Sequence, residues 1–311
     1  MWSLDNHYKV YKDLLNGRVK LPSLSKHFIT LKTEVDDLSK LSPLNSHPAI
    51  LEKLSADPDL CQLLVNAANF DRYYGAPALS TIEQALENLS AAQVSEFITL
   101  FGIRNLVLTD NLPAKHTIRQ LWEESLQIAS ICTALYTRLG QYNHMPAEPS
   151  MLAGLVYHLG TMLLINSFRN KGLATPNLQD AQNIPAPLAS NMSSLAAIQW
   201  RLHSSVCECA LQRNYFQEVN RQPFSMIDIF HMAITHHQNY NKQNPNVVAL
   251  KDSLPFIKAV KEKLIREEAQ HFTQMVDGHA LIIFRGLSPL INKFPITSFS
   301  ANYSPNYRQF G

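Results

Sequence analysis

Twelve histidines occur among 311 residues, and several fall inside apolar helical patterns rather than in loops. A metal-dependent hydrolase needs neutral imidazoles and carboxylates converging from separate helices, with one coordination position left open so that bound water becomes a nucleophile. Glu124, His158, His203, His236 and His237 fit that description, because apart from the adjacent His236 and His237 each lies on a different predicted helix of the second half. An interior site in a helical bundle is built in this way. Cys207 and Cys209 form a Cys-x-Cys pair, but on a helix they point about 200° apart, which argues against a joint metal site. Cys61 and Cys132 read as ordinary small core residues, and no disulfide framework is implied. There is no Ser-His-Asp nucleophile motif, no Gly-x-x-x-x-Gly-Lys phosphate loop and no dinucleotide-binding glycine pattern.

The elements that must position these residues read as helices throughout. Asp57 is an N-cap with Pro58 at the first helical position, followed by Leu60, Leu63, Leu64, Ala67 and Ala68 at helical spacing. That helix leads into a polar-aromatic turn, Phe70 to Gly75, whose aromatics are expected to pack rather than to offer a contact surface. Ser80 or Thr81 caps the next run, and Ser90 the one after it, which Gly102 is expected to stop ahead of the apolar piece Ile103 to Leu108. Thr109 to Lys115 is the expected connection to a long helix over Thr117 to Leu139, ended by Gly140. Further helices are expected at Met151 to Phe168, Leu195 to Tyr215, Met226 to Gln238 and Leu254 to Met275, with a loop over Asn170 to Pro187. Trp122 and Trp200 flank the histidine-bearing helices as packing residues. The mixed-sign run from Lys258 to Glu268 reads as a solvated face, and the tail from Ser298 to Gly311 as loosely held.

Composition narrows the function classes. With 46% hydrophobic and 17% charged residues the chain can bury a full core, and ten glycines leave it poor in turns and phosphate-cradling loops, so the expected fold is all-α. A net charge of +2 gives no footprint for phosphate backbones or anionic lipid, which argues against nucleic-acid and membrane partners. The longest apolar stretch, Met151 to Ile165, is short of the roughly 20 residues that a bilayer needs. The start, Met1 to Leu15, carries charges and no small-residue cleavage site, so it is not a secretory signal and the protein is expected to be cytoplasmic.

Several segments together resemble one family. LPSLS at Leu21 to Ser25, ADPDLCQLLVNAANFDRYYG at Ala56 to Gly75 and STIEQALENLS at Ser80 to Ser90 are similar to the HDOD domain, the HD-related output domain of bacteria. LWEESLQIASICTALYTRLG at Leu121 to Gly140, LAGLVYHLG at Leu152 to Gly160 and ITHHQNY at Ile234 to Tyr240 continue the resemblance, which runs from about Gly17 to Lys242. It implies an N-terminal helical subdomain, 17–112, packed on a degenerate HD-like bundle, 113–245, followed by a helical extension and tail, 246–311. HDOD domains are similar to the HD metal-dependent phosphohydrolases but lack the full set of metal ligands. By that resemblance the first HD histidine falls at Glu124 and the His-Asp dipeptide at Tyr157 and His158, while His203, His236 and His237 keep their histidines.

The replacements bear on chemistry. Tyr157 keeps its proton to about pH 10, and no carboxylate remains to bridge two metals. No catalytic residue and no cofactor are therefore expected, and the histidines are expected to hydrogen-bond across helices in a closed core. Glu124 and His158 are still competent ligands, so a mononuclear divalent-metal site with His203 and one of the histidine pair is the competing arrangement. The implied function is a non-catalytic signalling module that acts on partner proteins in trans and senses a small ligand such as a nucleotide, without an appended receiver or kinase domain. The competing reading is a divergent phosphohydrolase acting on nucleotides or cyclic dinucleotides. In the extension, Leu254, Ile257, Val260, Leu264 and Ile265 suggest an amphipathic helix docked on the bundle.

Overall fold

A computed structural model describes residues 4–16, 18, 20–70, 77–107, 112–143, 149–170, 177–213, 225–242 and 269–291. They are helical, with no strand among the described residues. The helices are α1 Leu4–Leu15, α2 Lys26–Leu38, α3 Pro48–Ser55, α4 Pro58–Ala68, α5 Ile82–Asn88, α6 Ala91–Val107, α7 Leu112–Asn143, α8 Ser150–Asn170, α9 Leu178–Gln182, α10 Ala186–Gln199, α11 Ser204–Gln212, α12 Met226–Lys242 and α13 Ala269–Gly286. Helices α2 to α6 form an N-terminal helical layer, which packs on a helical bundle built around α7 and α8. The aromatic turn lies outside the described residues beyond Phe70, as do Leu254 to Ile265, the charged run and the tail.

Local chemistry explains where the N-terminal helices start. The Asp57 carboxylate accepts the backbone N–H groups of Asp59 and Leu60 at 3.1 and 3.2 Å, relieving two donors that the first turn of α4 leaves unpaired. Thr81, rather than Ser80, caps α5 by accepting from the Gln84 N–H. Ser90 and Gln93 form a reciprocal pair at the start of α6: the Ser90 hydroxyl accepts from the Gln93 N–H at 3.2 Å, and the Gln93 side chain accepts from the Ser90 N–H at 2.9 Å.

Three helix boundaries differ from the sequence expectation. Gly102 does not stop α6, which runs on to Val107; a Cβ there would stand 3.3 Å from the Phe28 ring, so this glycine serves the packing of α2 on α6. The long helix starts at Leu112 and continues past Gly140 to Asn143. The helix expected over Leu195 to Tyr215 is two helices, α10 and α11, separated at Trp200 to Leu202. The Leu4–Leu15 helix and the short Leu178–Gln182 helix were not anticipated. Of the helix expected over Leu254 to Met275, the described part belongs to α13, which extends to Gly286.

Helix α8 is the axis of the bundle. At 21 residues it is longer than the apolar stretch that marks it and is long and apolar enough to cross a membrane, but 83% of its most apolar window is buried inside the fold, as in a core helix. Small residues let its neighbours approach. A Cβ on Gly154 would fall 2.3 Å from the Ala129 Cα of α7, and one on Gly160 would fall 1.9 Å from the Ala189 carbonyl oxygen of α10. At the second crossing the Ser193 hydroxyl accepts from the Gly160 N–H at 2.7 Å and donates to the Val156 carbonyl at 3.1 Å.

Helix α13 and the turn that follows it tie the N-terminal layer to the bundle. Trp122 is fully buried, and its indole N–H donates to the Leu290 carbonyl at 3.2 Å; the buried Arg104 donates to the same oxygen at 3.1 Å. Asn66 donates to the Gly286 carbonyl at 2.7 Å. Trp200 also packs, as expected, and its indole N–H holds the Pro22 carbonyl at 2.9 Å.

Candidate functional site

Helices α7, α8 and α12 bring three of the expected residues to one point. Glu124 stands between two imidazoles: His158 Nε2 is 3.0 Å from its Oε2, and His237 Nε2 is 3.3 Å from its Oε1. The cluster is enclosed, with side-chain exposures of 1% for His237, 13% for His158 and 31% for Glu124. Burial by itself would raise the Glu124 carboxyl, but the two rings at hydrogen-bonding distance outweigh it and hold the group well below the ordinary carboxylate range. Burial also pushes the His158 imidazole below its ordinary value, against the pull of Glu124. Both directions describe one state at neutral pH, an ionised carboxylate beside a neutral imidazole.

The remaining expected residues face elsewhere. Although adjacent to His237, His236 turns to α13, where its Nε2 meets Asp277 Oδ1 at 2.8 Å; it too is 1% exposed. Tyr157 accepts a hydrogen bond on its hydroxyl from the Gln238 side chain at 3.0 Å, and burial raises its hydroxyl above the ordinary phenol value. His203 leaves the cluster altogether. It is the N-cap of α11, exposed, with Nδ1 accepting from the Ser205 N–H at 3.3 Å. The expectation that it sits mid-helix and faces the other histidines is corrected: the break between α10 and α11 carries it to a different wall.

Three partners were missed in the sequence. Arg213, directly after α11, is buried, donates to the Tyr157 carbonyl oxygen and lies with its guanidinium carbon 5.3 Å from the centre of the Tyr157 ring. Gln238 and Asp277 complete the set. The only sequence signal for Gln238 was its place beside His237; Arg213 and Asp277 had none, because their contacts span 56 and 41 residues.

The residues present do not suit the divalent metal that an HD-type mechanism requires. Among the described residues no group of three His, Cys, Asp or Glu side chains is placed to hold an ion. Both Glu124 oxygens already face imidazole nitrogens, and Tyr157 is a protonated phenol. The Arg213 guanidinium also reaches His158 electrostatically, so a permanent positive charge opposes a second cation at this wall. What the arrangement does supply is a set of polar links joining α7, α8, α12 and α13.

The chain is similar in structure to a provisionally named metal-dependent phosphohydrolase from Shewanella amazonensis, with a TM-score of 0.69 and 14% identity over 91% of this chain and 99% of that one. A provisionally named phosphohydrolase from the same organism gives 0.56 and 19%, over 89% and 98% of the two chains. An HDOD domain protein of unknown function from Geobacter sulfurreducens gives 0.54 and 15%, over 93% and 99%. At such identities the likeness is one of fold. No curated protein matches the sequence. The model of the HDOD domain family matches residues 21–214, well over half of the chain, with His236 and His237 lying beyond it. With that match and its all-α architecture, the chain belongs to the HDOD family.

Proposed function

We propose that this HDOD protein is a non-catalytic regulatory module of bacterial signal transduction, acting on partner proteins in trans from the cytoplasm, in which the ancestral metal position has become a structural clamp. The observation that carries the reading is the Arg213 guanidinium stacked over Tyr157. A buried cation held beside His158 supplies internally the charge that a metal would bring, and it cannot polarise or deprotonate water as a metal does. Glu124 stands within 3.3 Å of imidazoles from two other helices, and His236 ties α12 to Asp277 on α13, so the polar cluster links four helices.

The test is hydrolysis of nucleoside triphosphates and cyclic dinucleotides by the full chain with added Mn²⁺ or Fe²⁺. The expected result is no turnover above the metal-only control. Metal-dependent turnover that disappears in Glu124→Ala would overturn the reading in favour of a divergent phosphohydrolase.

A further inference from the structure

One opening among the described residues lies away from the histidine cluster. A cavity of about 790 Å³ lies between the N-terminal layer and the bundle, walled by α2, α4, α6, the second half of α7, the start of α8 and the α10–α11 junction. None of Glu124, Tyr157, His158, His236 or His237 lines it. Its volume falls in the range of small-molecule sites.

The cavity contains one backbone conformation that its sequence does not favour. Arg201 has φ 53°, the only non-glycine residue with positive φ among those described. It closes α10: its N–H reaches the Ile198 carbonyl at 3.0 Å, and the Leu202 N–H reaches the Ala197 carbonyl at 2.9 Å. This is the pair of bonds that ends a helix in the left-handed conformation, where glycine is the ordinary occupant and a side chain is strained. Arginine stands there instead, exposed and lining the cavity, with no described residue pairing its guanidinium. Strain retained at a cavity wall points to a role for the side chain.

The other charged groups of the cavity are already engaged. Lys32 and Asp36 pair at 2.8 Å, and Glu96 accepts the Leu152 N–H at 2.9 Å. His203, two residues beyond Arg201, lines the same wall; its Nδ1 is taken up by the Ser205 N–H at 3.3 Å and the Ser205 hydroxyl at 2.8 Å, and no described residue bonds its Nε2. Phe70 and Phe97, edge to face with centroids 6.0 Å apart, supply apolar lining, and Thr137 and Gln93 add polar groups. Burial raises the Glu96 carboxyl to about 7, which lessens its repulsion of an incoming anion.

We infer that this cavity binds a small organic anion, its phosphate or carboxylate held by Arg201 and His203 and its ring against Phe70 and Phe97. The inference deepens the regulatory reading, on which it rests only in treating the bound molecule as a ligand rather than a substrate.

The experiment is calorimetric titration of the full chain with AMP, with 4-hydroxybenzoate, and with adenosine as the uncharged control. At least one of the two anions is expected to bind, about tenfold or more tighter than adenosine where AMP is the binder. The AMP and benzoate arms separate a phosphate from a carboxylate as the recognised group. In Arg201→Gly the affinity is expected to fall about tenfold to a hundredfold while the melting temperature of the free protein rises, because glycine suits the backbone there. That rise separates loss of a binding group from loss of the fold. Binding of neither anion, or equal affinity in Arg201→Gly, would overturn the inference and leave the regulatory reading standing. Binding accompanied by release of phosphate from AMP would overturn the regulatory reading and leave the site standing.

Discussion

Replacing Glu96 with glutamine isolates the effect of one carboxyl on pH-dependent stability. Glu96 projects from α6 and accepts the Leu152 N–H at 2.9 Å at the start of α8. Burial outweighs that favourable bond and raises the carboxyl from 4.5 to about 7. A group whose folded-state value is raised adds most to stability when protonated, below 4.5, and that contribution is lost as pH rises through 7. The interval from 4.5 to about 7 converts to at most about 3 kcal/mol. Glutamine keeps an oxygen to accept from Leu152 but has no proton to lose, so Glu96→Gln should show none of this dependence. The titrations of Glu124 and His158 are common to both proteins and cancel in the difference. Urea unfolding of both proteins between about pH 5 and pH 8, followed by circular dichroism, should show the parent losing stability relative to the variant as pH rises. A difference that does not vary with pH, or one of opposite sign, would show that the Glu96 carboxyl is not raised by burial.

Two further substitutions test how the bundle is held. Gly160→Ala places a methyl 1.9 Å from the Ala189 carbonyl oxygen and forces α8 and α10 apart, at an expected cost of about 1–3 kcal/mol in urea unfolding. Asp277→Ala strips the buried His236 of its partner and should cost about 1–3 kcal/mol, whereas a merely exposed pair would cost less than about 1 kcal/mol in the same measurement. Acid should weaken the clamp in two stages. The lowered His158 contributes stability above its ordinary 6.5 that is lost as pH falls, and the lowered Glu124 does the same below 4.5, so the melting temperature of Glu96→Gln should drop progressively from about pH 6 downward.

Much of this architecture is legible in the residues, and where it is not the reasons are local. Helix starts were readable because a cap is a short-range hydrogen bond: Asp57 before Pro58, and Ser90 three residues ahead of Gln93, each meet N–H groups within three residues. Helix ends were harder. Gly102 has the composition of a stop signal yet lies inside α6 because Phe28, from another helix, presses on it. Arg201 is the reverse case, a true helix end without the glycine that would announce it. That break also explains His203, whose expected place with the other histidines depended on an unbroken helix. Glu124, His158 and His237 were found together because helical spacing and family resemblance agreed on them. Arg213 and Asp277 are joined to the cluster by tertiary packing alone, with nothing in local sequence to mark them.

Whether the polar cluster around Glu124 is a clamp or a metal centre is decided by the metal content of the full chain purified without chelator, alongside Glu124→Ala and His237→Ala. A clamp gives no stoichiometric transition metal in the parent protein and lower melting temperatures in both variants. One equivalent of metal in the parent, lost in both variants, would contradict it.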